Sequence, residues 1–373
     1  MRLLFFGTYD ASAHPRVAVL RDGLRERGAL VLECTAPLGL STAQRVGMLR
    51  NPLLLPRLAV RIAWSWLRLW QRSVRYRRER EWPDAVVVGY LGHFDVLLAR
   101  LLFPHVPLVL DHLIGASDTA SDRGVPAGLR QRLLRALDDA ALAAADVIVV
   151  DTAEHRDALP PDVRRRAVVV AVGAPREWYV DPPAAPAHTG PLRVVFFGLF
   201  TPLQGAPVVG EALADLAQDP IEVTMVGAGQ DHDETRRLAA GNSHVRWLDW
   251  VAPDVLPALV AEHDVCLGIF GTGAKAARVV PNKVFQGAAA GCAVVTSDTA
   301  PQRRALGTAG VFVPAGDVGA LAVQLRCLAA DPRRLAQAQA AARQLATERF
   351  TPFHVVGPLH DRLRPVVPPE AGS

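Results

Sequence analysis

Along the first 172 residues, short unbroken apolar runs alternate with stretches whose apolar positions recur every three or four residues. The runs Arg2–Phe6, Leu30–Glu33, Ala85–Val88, Val106–Leu110, Val147–Asp151 and Ala167–Val172 predict strands. Helices are predicted near 15–27, 57–80, 93–103, 127–145 and 152–158. Unbroken apolar strands separated by helices mark a parallel sheet buried on both faces. The second half repeats the pattern. Its strands are predicted at Leu192–Phe197, Ile221–Val226, Val245–Leu248, Val265–Ile269, Ala293–Thr296 and Val311–Val313. Its helices fall near 204–217, 231–240, 253–262, 281–290, 316–330 and 332–347. Residues 173–191 contain five prolines and no period, and so make the best linker in the chain.

The prediction is an α/β fold of two Rossmann-like domains. A first domain covers 1–175, a Pro-rich linker 176–191 and a second domain 192–348. A C-terminal helix over 349–364 returns to the first domain, and a disordered tail follows over 365–373. Ligands of such folds bind at the carboxyl ends of the strands, so the site is expected in a cleft between the domains.

A length of 373 residues suits two domains, and 50% hydrophobic with 21% charged residues excludes wholesale disorder. No apolar run reaches the ~18–20 residues of a membrane-spanning helix, and residues 1–20 lack the apolar core of a secretory signal. Cys34, Cys266, Cys292 and Cys327 are scattered, which argues against a zinc site or a disulfide framework and fits a reducing cytoplasm. Segment 50–82 holds nine arginines and two glutamates, so its +7 exceeds the +4 of the whole chain. The positive charge is local, and a diffuse nucleic-acid-binding surface is not expected. Of 41 basic residues only Lys275 and Lys283 are lysines, eight positions apart, which suggests a local need.

Those lysines lie in FGTGAKAARVVPNKVFQGAAAGCAVVTSD, residues 270–298, where a glycine-bearing loop enters a helix that Pro281 can start. Amides at such a helix start favour an anion, and Lys275, Arg278 and Lys283 add cationic charge, so a phosphate or diphosphate is the natural guest. The competing reading is a solvated basic loop. The small residues Gly287–Gly291 would let the helix pack closely on the following strand. A second glycine loop, bracketed by Gly198 and Gly205 with a helix starting near Gln204, is an anion site in outline or a plain tight turn. In the first half, Gly7-Thr8, Asp111-His112 and Gly92-His93 follow predicted strands, and His14-Pro15-Arg16 starts a helix. His112 is the favoured histidine because it follows a buried strand directly.

The stretch 57–80 is amphipathic. Arg57, Arg61, Arg68, Arg72 and Arg75 share a narrow stripe, with Leu58, Ile62, Trp66, Leu69 and Trp70 opposite. Such a helix either buries its apolar side on the sheet and leaves the arginines in water, or lies on an anionic membrane surface.

With these motifs in place, the sequence resembles GT-B glycosyltransferases of the retaining family 4 type. The resemblance covers most of the chain and is strongest over 192–298. It rests on the loop from Gly198 to Gln204-Gly205, and on Pro281, Lys283, Gln286, Ala289, Gly291, Val294 and Val295 of a P-x-K-x-x-E-x-x-A-x-G-x-P-V-V pattern. His112 closing a first-domain strand and Gly173 opening the linker also match. The family's Arg and Lys in the first loop are here Leu199 and Gln204, and its two glutamates are Arg278 and Gln286.

The resemblance implies a retaining, metal-independent sugar transfer from a nucleoside-diphosphate sugar to an acceptor hydroxyl. The donor is a substrate, and no further cofactor is implied. The acceptor would be a glycan, a lipid-linked or envelope molecule, or a small molecule. Lys275, Arg278 and Lys283 would hold the diphosphate, with Gly198, Gln204, Gly205 and Asn282 around it. Gln286 would meet the ribose and Trp250 would lie near the base. His112 and Asp111 would face the transferred sugar, while Gly7, Thr8, His14, Arg16 and His93 line the acceptor side. The chain is expected in the cytoplasm, or peripherally on the inner face of the membrane if helix 57–80 binds lipid. A nucleotide-sugar epimerase of the same fold and a non-catalytic sugar-nucleotide-binding relative remain alternatives. A dehydrogenase is disfavoured, because the opening strand runs into GTYDAS rather than a dinucleotide glycine pattern.

Overall fold

The computed structural model describes residues 1–10, 14–40, 48, 54–78, 82–89, 92–113, 128–180 and 190–364. The tail from Pro365, the residues 181–189 of the expected linker and Arg80 of the basic segment lie outside them. The chain divides into two compact units, Met1–Ala171 with Val355–Ser373, and Val172–His354.

Unit 1 runs β1 (Arg2–Gly7), α1 (Pro15–Glu26), β2 (Leu30–Thr35), α2 (Leu55–Arg78), β3 (Ala85–Val88), α3 (His93–Leu102), β4 (Leu108–Asp111), α4 (Leu129–Ala144), β5 (Val147–Val150), α5 (Ala153–Asp157), α6 (Pro161–Arg164) and β6 (Ala167–Val169). Its six strands are all parallel in the order β2-β1-β3-β4-β5-β6. The inner strands LLFF, AVVV, LVL and VIVV are buried on both faces, which explains their unbroken apolar runs. Alternate residues serve opposite cores. Leu4, Phe6, Val86, Val88, Leu108 and Leu110 pack with Leu69 and Tyr76 of α2 and with α3 and α4. Leu3, Phe5, Ala85, Val87, Val109 and Val149 pack with Val17, Leu20 and Leu24 of α1.

Unit 2 runs β7 (Leu192–Phe197), α7 (Ala206–Asp215), β8 (Ile221–Val226), α8 (His232–Leu238), β9 (Val245–Leu248), α9 (Leu256–Ala261), β10 (Val265–Leu267), α10 (Asn282–Ala289), β11 (Ala293–Ser297), α11 (Ala300–Leu306), β12 (Gly310–Val313), α12 (Val318–Ala330) and α13 (Pro332–Leu345). Its parallel sheet has the order β12-β11-β10-β7-β8-β9. Asp331 ends α12 and caps α13, where its carboxylate accepts the amides of Arg333 and Arg334 at 3.0 and 3.1 Å while Pro332 takes the first helical position. The expected helix over 332–347 leaves α-geometry at Ala346, where a wider turn runs to Phe350. Then α14 (Pro352–Val355) and α15 (Gly357–Leu363) lead to unit 1, where Val355, Val356, Leu359 and Leu363 fill the core on the α1 side of the sheet. No described helix is long and apolar enough to cross a membrane.

Candidate functional site

Open parallel sheets bind ligands where the strand order reverses. In unit 2 that point lies between β7 and β10. The loops leaving β7, β8 and β10 there pack backbone against backbone. The amide of Phe200 donates to Ala228 O at 3.1 Å, that of Asp231 to Phe200 O at 3.1 Å, and that of Phe270 to Gln204 O at 3.0 Å. Gly205 has φ +64°, and a Cβ on it would lie 2.4 Å from Gly271 N. A Cβ on Gly227 would lie 2.0 Å from Gly198 O. Only glycine fits either place. The helix after β7 starts at Ala206, two residues later than expected, because Gly205 must turn left-handed to reach this contact.

Lys283 reaches this turn from the first turn of α10. A Cβ on Gly198 would touch its Cε and Nζ at 3.6 and 3.7 Å. The Lys283 side chain is buried, its ammonium sits 3.5 Å from the centroid of the Phe196 ring, and it has no hydrogen-bond partner among the described residues. Burial pulls its pKa down to about 7, opposed weakly by Cys266. A ring face offsets part of the desolvation of a buried ammonium, but it satisfies none of the three N–H donors.

The other expected donor-side residues are placed less uniformly. Gln204 lies in the β7 loop with its Oε1 buried and unpartnered among the described residues. Gln286 is buried one turn beyond Lys283, and Asn282, half-buried, opens α10. Lys275 and Arg278 flank a single 3₁₀ turn between β10 and α10, both half-buried, and Arg278 Nε folds back onto Ala274 O at 3.2 Å. Of the three expected cations, Lys283 is the one whose ammonium lies against Gly198. Trp250, just past the edge strand β9, is exposed. Gly287 packs on Cys266 of β10, and α10 lies against β10 and also against β11, the following strand, as the sequence suggested.

Unit 1 gathers its candidates at the same end of its own sheet, and here two expectations are corrected. Arg16 and Asp111 do not line an open surface. They form a buried ion pair, Nε to Oδ1 at 2.8 Å and to Oδ2 at 3.1 Å, while Arg16 Nη1 donates to Val170 O and Ala171 O, both at 3.1 Å. The apolar surroundings that make β4 a strand leave Asp111 no water, so its carboxylate needs the guanidinium. Burial still raises its pKa, with Arg16 opposing. Thr8 is likewise taken. Its amide and hydroxyl both donate to Asp95 Oδ2, at 2.7 and 2.9 Å, and Trp66 Nε1 donates to Oδ1 at 3.1 Å. A Cβ on neighbouring Gly7 would crowd the Tyr9 ring at 2.9 Å.

His93 and His112 do meet, edge to face with ring centroids 5.4 Å apart. His93 Nε2 lies 3.3 Å from Asp138 Oδ1. Burial lowers both pKa values. That of His112 falls to about 4, helped by His93, so its ring is neutral at pH 7. Its Nδ1 is buried with no hydrogen-bond partner among the described residues. Next along the sheet, His155 Nδ1 bonds Asp151 Oδ1, and the Thr152 hydroxyl caps α5 by accepting the His155 amide at 3.1 Å. His14 sits at the start of α1, where its carbonyl accepts the Val17 amide at 3.0 Å. Among the described residues no group of three His, Cys, Asp or Glu side chains is placed to hold a metal ion.

Residues 191–331 match the family described as Glycosyl transferases group 1. The match spans β7 to the end of α12, and so includes the glycine loops and Lys283. No curated protein matches the sequence. Solved structures resemble the whole chain. HepE of Anabaena in complex with UDP-glucose is 16% identical with a TM-score of 0.67, over 98% of this chain and 100% of that one. Sucrose-phosphate synthase of Thermosynechococcus elongatus is 14% identical with a TM-score of 0.69, over 98% and 99%. A glycosyltransferase of Rickettsia africae is 12% identical with a TM-score of 0.63, over 100% and 99%. The chain therefore has the GT-B architecture, and the family match lies in its second unit.

Sequence reasoning missed Asp95, Asp138, Asp151 and His155, whose partners lie far along the chain or follow a strand end unremarked. Within unit 2 it missed α11 and the buried Gln302, whose amide donates to Ser297 Oγ at 2.8 Å and whose Oε1 accepts the Thr296 hydroxyl. Thr296 Oγ1 in turn accepts the Ile269 amide at 3.3 Å, which fixes the exit of β10. The expected β10 therefore ends at Leu267, two residues early.

Proposed function

We propose that the protein transfers a glycosyl group from a nucleoside-diphosphate sugar, with the diphosphate lying between the Gly198 turn and Lys283. One observation carries the reading. An ammonium that is buried, against a ring and without a hydrogen-bond partner sits at the strand-order reversal of a transferase domain. The bound UDP and UDP-glucose of HepE support uracil as the first base to try.

In this reading the bond between the anomeric carbon and the diphosphate oxygen lengthens as the acceptor oxygen approaches. Positive charge builds on the sugar and negative charge on the departing diphosphate. Lys283 and the first-turn amides of α10 meet that negative charge, so the transfer needs no divalent ion. The sequence's resemblance to the retaining family 4 type supports retention of configuration. Gln286 faces the ribose, and neutral His112 hydrogen-bonds the transferred sugar. The acceptor is a hydroxyl of a lipid-linked or envelope glycan.

The test is calorimetric titration with UDP, GDP, ADP, dTDP and their sugar conjugates, without metal. Base-selective binding that weakens about 10- to 100-fold in Lys283→Met is expected, the scale of a lost charge-assisted contact. No binding by the wild-type protein across the panel would end the reading. Arg278 and Gln286, standing where relatives of this type carry glutamates, favour a second reading, a binder without turnover. Selective binding with no release of nucleoside diphosphate in the presence of lipid and glycan acceptors would establish it. Interconversion of the donor with no acceptor present would indicate an epimerase.

A further inference from the structure

The sequence offers two fates for the apolar side of α2, burial on the sheet or contact with a membrane. The structure divides that side into two separate faces. At about 100° per residue, Leu58, Ser65, Leu69, Ser73 and Tyr76 fall on one face, and all are buried. Leu69 and Tyr76 enter the sheet core, and the Tyr76 hydroxyl donates to Glu33 O at 3.1 Å. Roughly opposite on the same helical wheel lie Val60, Trp64, Leu67 and Trp70. These are 68, 56, 42 and 47% exposed. Arg57, Arg61, Arg68 and Arg75 occupy the sector between the two faces, bordering the exposed apolar stripe. Arg68 lies over the Trp64 ring at 5.4 Å, so cation and indole form one surface.

Burial on the sheet accounts for the first face and leaves the second unexplained. Helix α2 carries seven arginines and no acidic residue. Two such helices from two copies of the chain would repel each other, which disfavours a second copy as the cover. An indole and leucine stripe edged by arginine matches the depth profile of a bilayer with anionic headgroups, apolar at the acyl boundary and negative at the phosphates.

We propose that the exposed stripe of α2 docks on an anionic lipid surface, with Trp64, Leu67 and Trp70 at the acyl boundary and Arg57, Arg61 and Arg68 on lipid phosphates. The proposal rests on the helix alone and goes beyond the donor reading. Nucleotide affinity, measured on the same samples, reports that reading separately.

The test is co-sedimentation of the full chain with vesicles of phosphatidylglycerol and phosphatidylcholine in equal parts, and with phosphatidylcholine alone. Binding to the anionic vesicles is expected, with little to the neutral ones, and 0.5 M salt should weaken it. The triple variant Arg57→Gln, Arg61→Gln, Arg68→Gln should lose about 100-fold in partitioning, at roughly fivefold per arginine near the surface. Trp64→Ser with Leu67→Ser should lose at least tenfold. Arg57, Trp64, Leu67 and Arg68 are exposed and Arg61 is half-buried, and none of the five belongs to the sheet core, so both variants should keep the wild-type circular dichroism and melting point, which separates lost docking from lost folding. Equal partitioning into both vesicle types, none into either, or variants that bind like the wild type would overturn the proposal. So would a concentration-dependent dimer that dissociates in Trp64→Ser with Leu67→Ser, since a second copy would then cover the stripe.

Discussion

Lys283 gives the donor site a measurable proton inventory. Its ammonium is held by burial at about pKa 7, so near pH 7 half of the free protein carries the charge and half does not. A diphosphate beside Gly198 binds the charged form and raises that pKa, so binding must take up protons. The uptake should be about 0.5 per site at pH 7 and approach one near pH 8.5. Above pH 7.5 the dissociation constant should then rise about tenfold per pH unit, and below pH 6 it should be flat. UDP-glucose is the probe of choice, because its diphosphate lacks the second phosphate ionisation near pH 6 that UDP adds. Calorimetry at pH 6, 7, 8 and 9, in buffers of different ionisation enthalpy, counts the protons directly. The same shift acts on the free protein. Between pH 7 and about 10 the unfolded chain binds more protons than the folded one, so stability rises with pH across that window. The contribution is about 5 kcal/mol from the full displacement below the ordinary lysine value. Lys283→Met removes the buried charge and should raise the melting point at pH 7 while abolishing the proton uptake. A dissociation constant that stays flat from pH 7 to 9, or a Lys283→Met protein with the wild-type proton count, would refute the reasoning.

Three further outcomes are expected. His112→Ala should lower turnover much more than donor affinity, and since burial puts the His112 pKa near 4, the rate should show no acid limb from this ring until about pH 4–5; equal losses in turnover and affinity would remove it from the chemistry. Arg16→Met strands the Asp111 carboxylate in the core and should cost about 3–5 kcal/mol in urea unfolding, most of it recovered in the double variant Arg16→Met, Asp111→Leu. Leu359→Ala should cost about 2–5 kcal/mol, read as a lower denaturant midpoint, because Leu359 is fully buried against the sheet of unit 1.

The strands were readable because parallel sheets covered on both faces demand apolar runs; the inner strands of unit 1 are such runs, while β2, β8 and β9 carry Glu33, Glu222 and Arg246 among their apolar residues. Their ends were not, for local reasons. Pro107 has no amide to give the ladder, so β4 starts at Leu108 instead of Val106. Arg16 takes the carbonyls of Val170 and Ala171, and β6 stops at Val169. Helix α11 has only seven residues, with a proline and two arginines, too few to show a period. At the donor side, residue type alone singled out Gly198, Gly205 and Lys283. Lys275 and Arg278 looked equivalent to Lys283 in sequence, and only the path of the β10–α10 connection separates them. The pairs Arg16–Asp111 and Thr8–Asp95 join positions 95 and 87 residues apart. Their meeting depends on which strands become neighbours, and no spacing rule encodes that.

Unit 1 is discontinuous in sequence, and this shapes the order in which it can form during synthesis. Val356, Leu359 and Leu363 finish its core, yet they are made only after the roughly 180 residues of unit 2. At about 5–20 residues per second, the α1 side of the first sheet waits roughly 10–35 s with part of its apolar surface uncovered. Unit 2 has no such debt, because all of its strands are contiguous. The second half of the nascent chain can therefore reach its native packing before the first, against the usual N-to-C order, and unit 1 is the part that would depend on a chaperone in the interval.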